Sequence, residues 1–301
     1  MNVPWVTLRI VAWNELADSV RSRRVLVIVL LYLACALWGT KLFVDTLRVL
    51  ESELAQTLGL AEPKKAGGVT ASLWQSESFR RTLKKLLGDE ELVTHLLGAP
   101  PLALFYGWLA LTFTPLLVML TASTRIAEEV ASGSARFVMF RTTRSLWCLG
   151  KFAGQALQIF GALLISAAGT WVLGLIHMQT FEPLAAMLHM LGYACKAWLY
   201  ALPFLGVALA VSQWMSSPNL AVVVGLMVMF VMSLVRWIGR FAEGSDTAAL
   251  WQTVALLTPS AYRHHLWWND LSRLAPAVLL LGILTTAYLL AGHTRFGRRD
   301  L

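Results

Sequence analysis

The sequence is poor in charge. Only 14% of its 301 residues are Asp, Glu, Lys or Arg and 57% are hydrophobic, whereas a soluble domain carries about a quarter charged residues. That shortfall excludes a chain that buries a single core and turns a charged surface to water. Cysteine is scarce too: Cys35, Cys148 and Cys195 all fall within or beside apolar runs, so each reads as a small packing residue and no disulfide framework is implied. A phosphate loop is missing, because Gly150-Lys151 is followed by Phe152 and has no glycine at the G-x-x-x-x-G-K-[ST] spacing. The six His show no metal-ligand spacing, and no Ser/His/Asp or Cys/His arrangement follows from sequence order. Neither a catalytic nor a metal site is expected.

What the chain has is apolar length. A span needs about 20 apolar residues, and six stretches qualify, at 25–47, 101–123, 148–174, 187–212, 218–238 and 274–292. Pro100-Pro101 opens the second, Ser217-Pro218 supplies an N-cap and first-turn proline for the fifth, and Pro276 is placed in the first turn of the sixth. Pro115 and Pro203 fall inside spans, where kinks are expected. Ser22-Arg23-Arg24-Val25 ahead of LVIVLLYLACA imitates a twin-arginine signal, but the run continues past Ala34-Cys35-Ala36 and five further spans follow, so it reads as the first span.

Ahead of it, Val6, Ile10, Trp13, Ala17 and Val20 recur at helical spacing with Thr7, Asn14, Asp18 and Arg21 on another side, the pattern of an amphipathic helix lying in the interface. Basic residues sit beside the spans and on alternate loops. Residues 1–24 hold four Arg against Glu15 and Asp18, residues 124–151 five Lys and Arg against Glu128 and Glu129, and residues 293–301 three Arg against Asp300. The other loops balance in sum: 48–100 has seven basic and seven acidic groups, 176–186 has only Glu182, and 236–273 has four and three. This bias places both termini in the cytoplasm and accounts for the net charge of +8 without nucleic acid as a partner.

The expected organisation is all-α and polytopic. Residues 1–24 form the amphipathic helix. Residues 25–301 form a single six-span domain, with 48–100 an extracytoplasmic loop, 124–145 the largest cytoplasmic loop, and 239–273 an extracytoplasmic re-entrant or interfacial segment. The 48–100 loop carries helical patterns at 51–58 and 73–87. In the cytoplasmic loop Gly133 can break a helix and 134–141 can restart one, exposing Phe137, Met139 and Phe140 among arginines. Such a surface suits docking; the same residues also suit a basic loop that fixes topology and touches lipid phosphate.

This loop resembles that of type-2 ABC transporter permeases in its order: Glu128 or Glu129, the tetrapeptide Gly133-Ser134-Ala135-Arg136, then Thr142-Thr143-Arg144, then Gly150-Lys151 leading into the third span. Ser-Ala stands where that family has Thr-Leu, and the proline before Thr143-Arg144 is absent. WNELADSVRSRRVLVIVLL is similar to the family's N-terminal elbow helix, and Thr258-Pro259-Ser260-Ala261-Tyr262 to its Ser-Pro segment before the last span. The resemblance implies a non-catalytic permease half of an exporter in a bacterial inner membrane. It would bind an ABC ATPase dimer that carries ATP and Mg²⁺, and a second permease chain as homodimer or heterodimer. It further implies ATPase coupling through Glu128, Glu129, Gly133, Arg136, Phe137, Phe140, Arg141 and Arg144. Lys151, which belongs to no phosphate loop, reads from its position as an interfacial anchor of the third span.

Lys196 lies within the fourth span, where an ionisable group is costly. It faces a substrate pathway, or else it sits at headgroup level. Two other classes stay open on sequence: an intramembrane enzyme acting on a lipid through His264, His265 and Lys196, and an ATP-independent carrier or channel.

Overall fold

Hydrocarbon offers no hydrogen-bond partner to a peptide group, so each long apolar run satisfies its backbone internally as a helix. The computed structural model of the chain describes residues 4–57, 90–178, 181–241 and 248–296. It is 91% helical, with no strand among the described residues. In chain order the helices are α1 (Pro4–Arg21), α2 (Arg23–Thr57), α3 (Glu90–Leu97), α4 (Pro101–Ala122), α5 (Arg125–Ala131), α6 (Ser134–Met139), α7 (Arg144–His177), α8 (Pro183–Trp214), α9 (Pro218–Phe241), α10 (Ala248–Leu256) and α11 (Leu271–Phe296), with a 3-10 segment at Pro259–Trp267 before the last.

Six of these, α2, α4, α7, α8, α9 and α11, are long and apolar enough to cross a membrane. Most outrun the apolar stretch that announced them, since a helix carries its hydrogen bonding on into polar flanks while hydropathy marks only the greasy part. α11 also starts earlier than Pro276 suggested. Asp270 caps it, accepting from the Ser272 backbone N–H at 3.1 Å and from the Ser272 hydroxyl, so Pro276 lies inside the helix. Those two hydrogen bonds hold the exposed Asp270 carboxyl below the usual range.

Burial separates the spans. Over their most apolar windows α4 is 67% buried and α8 78%, against 17% for α2, 11% for α9 and 22% for α11. The first pair therefore meets protein on most sides, and the other three present broad apolar faces. Small residues make the packing of α8 possible: Ala194, Ala197, Ala201 and Ala208 are wholly buried.

The chain divides into two compact units. One comprises Leu31–Thr112 and Ala162–Ala197. Polar groups join its helices: the Tyr106 hydroxyl donates to the Leu163 carbonyl at 2.7 Å, and the Thr40 and Thr170 hydroxyls lie 3.2 Å apart. Phe43 stacks on Phe105 at 4.4 Å. Of the helical patterns expected in 48–100, the first falls largely in the end of α2, and the second, 73–87, lies outside the described residues.

The other unit comprises Met1–Leu30, Phe113–Gly161 and Trp198–Leu301. Here α1 packs on α7 across Gly150 and Gly154. A Cβ on Gly150 would stand 2.5 Å from the Val11 side chain, and one on Gly154 would stand 2.7 Å from the Ala12 carbonyl oxygen. Only glycines four apart let the backbones approach so closely. Of the expected apolar stripe of α1, Val6, Ile10, Trp13 and Val20 are exposed and Ala17 is half-buried, while Ala12, Glu15 and Ser19 are buried.

In the same unit α10 packs back on α9, and the 3-10 segment packs on both. Tyr262 donates to the Leu256 carbonyl at 2.9 Å, Arg236 to the Ser260 carbonyl, and Tyr288 to the Leu257 carbonyl. This pair of short elements occupies the segment expected at 239–273, of which 242–247 lie outside the described residues.

The close approach at Gly154 makes a prediction. Gly154→Ala lowers stability by about 1–3 kcal/mol through overpacking, whereas Gly161→Ala, where nothing lies within 4 Å, is neutral or raises it by up to about 1 kcal/mol through helix propensity. Thermal unfolding in detergent separates the two, and equal effects would discount the contact.

Candidate functional site

The segment between α4 and α7 is shaped by small polar residues. At the end of α4 the Thr121 and Ser123 hydroxyls bond back to the Leu117 and Met119 carbonyls at 2.8 and 2.6 Å, a competition with the backbone that favours a helix end. α5 then restarts at Arg125, and its own N-cap residue Thr124 makes no side-chain cap. The cap comes from α8. The Ser212 oxygen accepts from the backbone N–H groups of Ile126 and Ala127, each at 3.0 Å, satisfying two of the free donors of a helix start. α5 ends before Gly133, which holds φ +75°, a left-handed turn that glycine adopts without strain. α6 follows at once, anchored by Ala135, which is 1% exposed.

Beneath this segment lies a buried charge cluster. Lys151 on α7 places Nζ 2.5 Å from Glu15 Oε2 of α1 and 2.5 Å from Glu129 Oε1 of α5. Arg125 brings Nε within 3.5 Å of Glu15 Oε1 and donates from Nη2 to Ser19 Oγ at 2.6 Å. Gln155 Nε2 donates to Glu15 Oε1 at 2.7 Å and to Ser19 Oγ at 2.9 Å. Two cations and two anions make the group neutral, and its remaining polar atoms mostly have partners. Those are the conditions under which buried charge is tolerated. The Lys151 ammonium also lies 5.3 Å from the centroid of the Trp147 ring.

Lys151 is therefore not the interfacial anchor that its position at the start of a span suggested. α1 lies across it and only 2% of it is exposed; two carboxylates, rather than water, satisfy its charge.

The expected loop residues divide into two groups. Phe137 and Phe140 are 76% and 86% exposed, and Arg136 and Arg141 beside them are exposed as well. Glu128, Glu129 and Arg144 turn towards their own chain. Glu128 pairs with Arg24 at 3.6 Å, at the start of α2, and Glu129 joins the Lys151 cluster. Arg144 donates to the Phe296 carbonyl at 2.7 Å and lies over the Phe296 ring, which in turn stacks on Trp147 at 5.7 Å. A cation on the last carbonyls of α11 is favourable for that helix end.

Sequence reasoning missed Glu15, Ser19, Arg125, Gln155 and Ser212. A signal was present in the matched spacing of four: Glu15 with Ser19 on one helix, and Lys151 with Gln155 beside Gly150 and Gly154 on the other.

Lys196, in the other unit, is 7% exposed, with its ammonium 5.1 Å from the centroid of the Tyr193 ring. His95 on α3 is close enough to feel it. Burial first, then the charges of Lys196 and His189, push the His95 imidazole below its ordinary range. His264 and His265 are exposed on the 3-10 segment with rings 5.8 Å apart. Among the described residues no group of three or more His, Cys, Asp or Glu could hold a metal.

The sequence model of the family described as ABC-2 family transporter protein matches residues 9–301. The chain belongs to this family. None of the curated proteins compared with it matches. It is thus an integral membrane protein and a permease subunit of an ABC transporter. In this ABC-2 permease, the segment that joins the second and third spans is fixed at its base to α1, α2, α7 and α8, and it is bare at its tip.

The cluster makes a second prediction. In this ABC-2 permease Lys151→Met strands two carboxylates and lowers stability by about 3–5 kcal/mol, and Ser212→Ala lowers it by about 1 kcal/mol. Adding Glu15→Gln to Lys151→Met costs less than the two single losses combined, by about 0.5–3 kcal/mol. Unfolding in mixed detergent measures all four proteins. Additivity of the pair would mean that the two groups do not act as one.

Proposed function

We propose that this permease is one half of the membrane part of an ATP-driven exporter, and that residues 124–145 are the surface on which a separate ATPase subunit docks. The observation that carries the reading is the contrast between tip and base. Two phenylalanines and two arginines stand exposed on a six-residue helix and the turn that ends it, and that helix follows a segment tied to the spans by buried charge.

On this reading Phe137 and Phe140 fill an apolar pocket on the ATPase, and Arg136 and Arg141 meet its acidic rim. Gly133 sets the angle between α5 and α6. Glu128, Glu129 and Arg144 act behind the interface: the first two hold α5 to α1, α2 and α7, and the third holds the loop's exit to the end of α11. Closure of the ATPases on ATP then displaces α5 as a rigid body, and the spans follow. ATP and Mg²⁺ belong to the partner, and this chain binds neither.

The remaining parts of the reading rest on family membership and charge bias. The base of the loop and both termini face the cytoplasm of a bacterium, the membrane is its inner one, and a second six-span chain, identical or homologous, completes the pathway. Lys196 lines that pathway and meets an anionic group of the substrate. Export as the direction is supported by the resemblance of the loop.

A direct test is co-expression with the ATPase encoded nearby. Phe137→Asp and Phe140→Asp each reduce co-purification at least tenfold while leaving membrane insertion and unfolding temperature unchanged. Glu129→Gln leaves co-purification within twofold and lowers substrate-stimulated ATP hydrolysis several-fold. A complex indifferent to both phenylalanine changes would overturn the docking surface.

A further inference from the structure

α1 has three faces, and two of them are already accounted for. Ala12, Glu15 and Ser19 are buried against α7, and Val6, Ile10, Trp13 and Val20 form an exposed apolar stripe. At 100° per residue, the stripe lies roughly 150° around the helix from the buried face, so the helix is inserted between protein and bilayer.

The third feature is charge. Arg9 and Arg21 on α1 and Arg23 at the start of α2 are exposed, against Asp18 as the exposed acid of α1. Glu15 contributes nothing outward, because its carboxylate is engaged by Lys151, and Arg24 is engaged by Glu128. The surface of α1 that meets the bilayer is therefore basic as well as apolar.

Its depth follows from continuity with α2. Ser22 is the one residue between the two helices, and the hydrogen bonding runs across it, from Ser22 N–H to Asp18 O at 2.8 Å and from Leu26 N–H to Ser22 O at 3.0 Å. The arginines at 21 and 23 thus stand where a membrane span begins, at the level of lipid phosphates.

We propose that α1 is a binding surface for anionic phospholipid, and that the buried Glu15–Lys151–Glu129 bridge passes its occupancy to α5. The occupant is the charged leaflet itself. Arginines flanking an apolar stripe that includes Trp13 match a negative headgroup above acyl chains. The far side of the same helix is fixed to α7 through two glycines, to α5 by way of Lys151, and to α5 directly through Arg125 on Ser19 and Glu15, so a shift of α1 in the leaflet moves the start of the docking segment. This inference does not depend on an ATPase partner.

Hydrogen exchange of the whole permease in nanodiscs tests it, comparing phosphatidylcholine alone with an equimolar mixture of phosphatidylcholine and phosphatidylglycerol. In the native chain the anionic lipid slows exchange in α1 and α5 by about fivefold, the size of one arginine's attraction to such a surface. The triple variant Arg9→Gln, Arg21→Gln, Arg23→Gln exchanges alike in both lipids, whereas Lys41→Gln with Arg48→Gln, further along α2, keeps the native difference. Lys151→Met retains the slowing in α1 and loses it in α5; Glu129→Gln, at the partly exposed edge of the cluster, does the same should Lys151→Met not fold. Equal exchange of the native chain in the two lipids, or a triple variant that keeps the difference, overturns the binding surface. Slowing of α5 that survives Glu129→Gln and Lys151→Met overturns transmission through the Lys151 bridge.

Discussion

One ammonium group organises the base of this molecule. Lys151 is surrounded by protein, and a bare cation there would cost several kcal/mol even after relaxation. It is tolerated because Glu15 and Glu129 both reach it at 2.5 Å. These carboxylates come from separate segments, so the demand of one charge fixes three helices in a single arrangement. Hydrophobic contact could not do this as well. In a membrane protein apolar side chains are nearly as content against lipid as against each other, and the broad exposed faces of α9 and α11 follow from that. Directional polar contacts therefore have to specify which helix lies where.

The two glycines of α7 make the arrangement possible. Lysine and glutamine are long, and a helix held at ordinary distance would have left their heads in a gap open to water. Gly150 and Gly154 bring α1 close enough that Ala12 and Glu15 touch the α7 backbone positions. Lys151 and Glu15 are consequently shielded from solvent, which strengthens that pair while making the loss of either expensive. Small residues and buried charge here act together as one device.

Much of the architecture could be read from the chain. Span number followed from apolar length, the outward stripe of α1 from its periodicity, and the break in the loop from Gly133, because a left-handed residue between two polar stretches has few other candidates. The exposure of Phe137 and Phe140 followed from aromatic residues lying in a charged loop with no apolar period to bury them. The clamp was hidden for a physical reason. Glu15 and Lys151 are 136 residues apart, and Ser212 lies 86 residues from the helix start that it caps. No local propensity records such a pairing, so a lysine at the start of a span looks the same whether it reaches for water or for a carboxylate. Glu128, Glu129 and Arg144 illustrate the same limit: their charge was legible, and the direction in which they point was set by the fold.

The contrast between base and tip then has a mechanical meaning. α6 has six residues, far fewer than an isolated helix needs to be stable, and Ala135 is the one residue by which it is buried. Two exposed phenylalanines forgo about 1.5–3 kcal/mol of burial each, and none of the described residues covers them. α5 is capped by another span and pinned by charge at Glu128 and Glu129, so it can move only by carrying its neighbours along. On the proposed reading, a segment exposed at its tip and fixed where it joins the spans would meet the ATPase surface at the tip and pass that surface's displacement to the spans. The reverse distribution would give a stiff tip on a slack base, and any push on it would be dissipated in the loop before reaching the membrane.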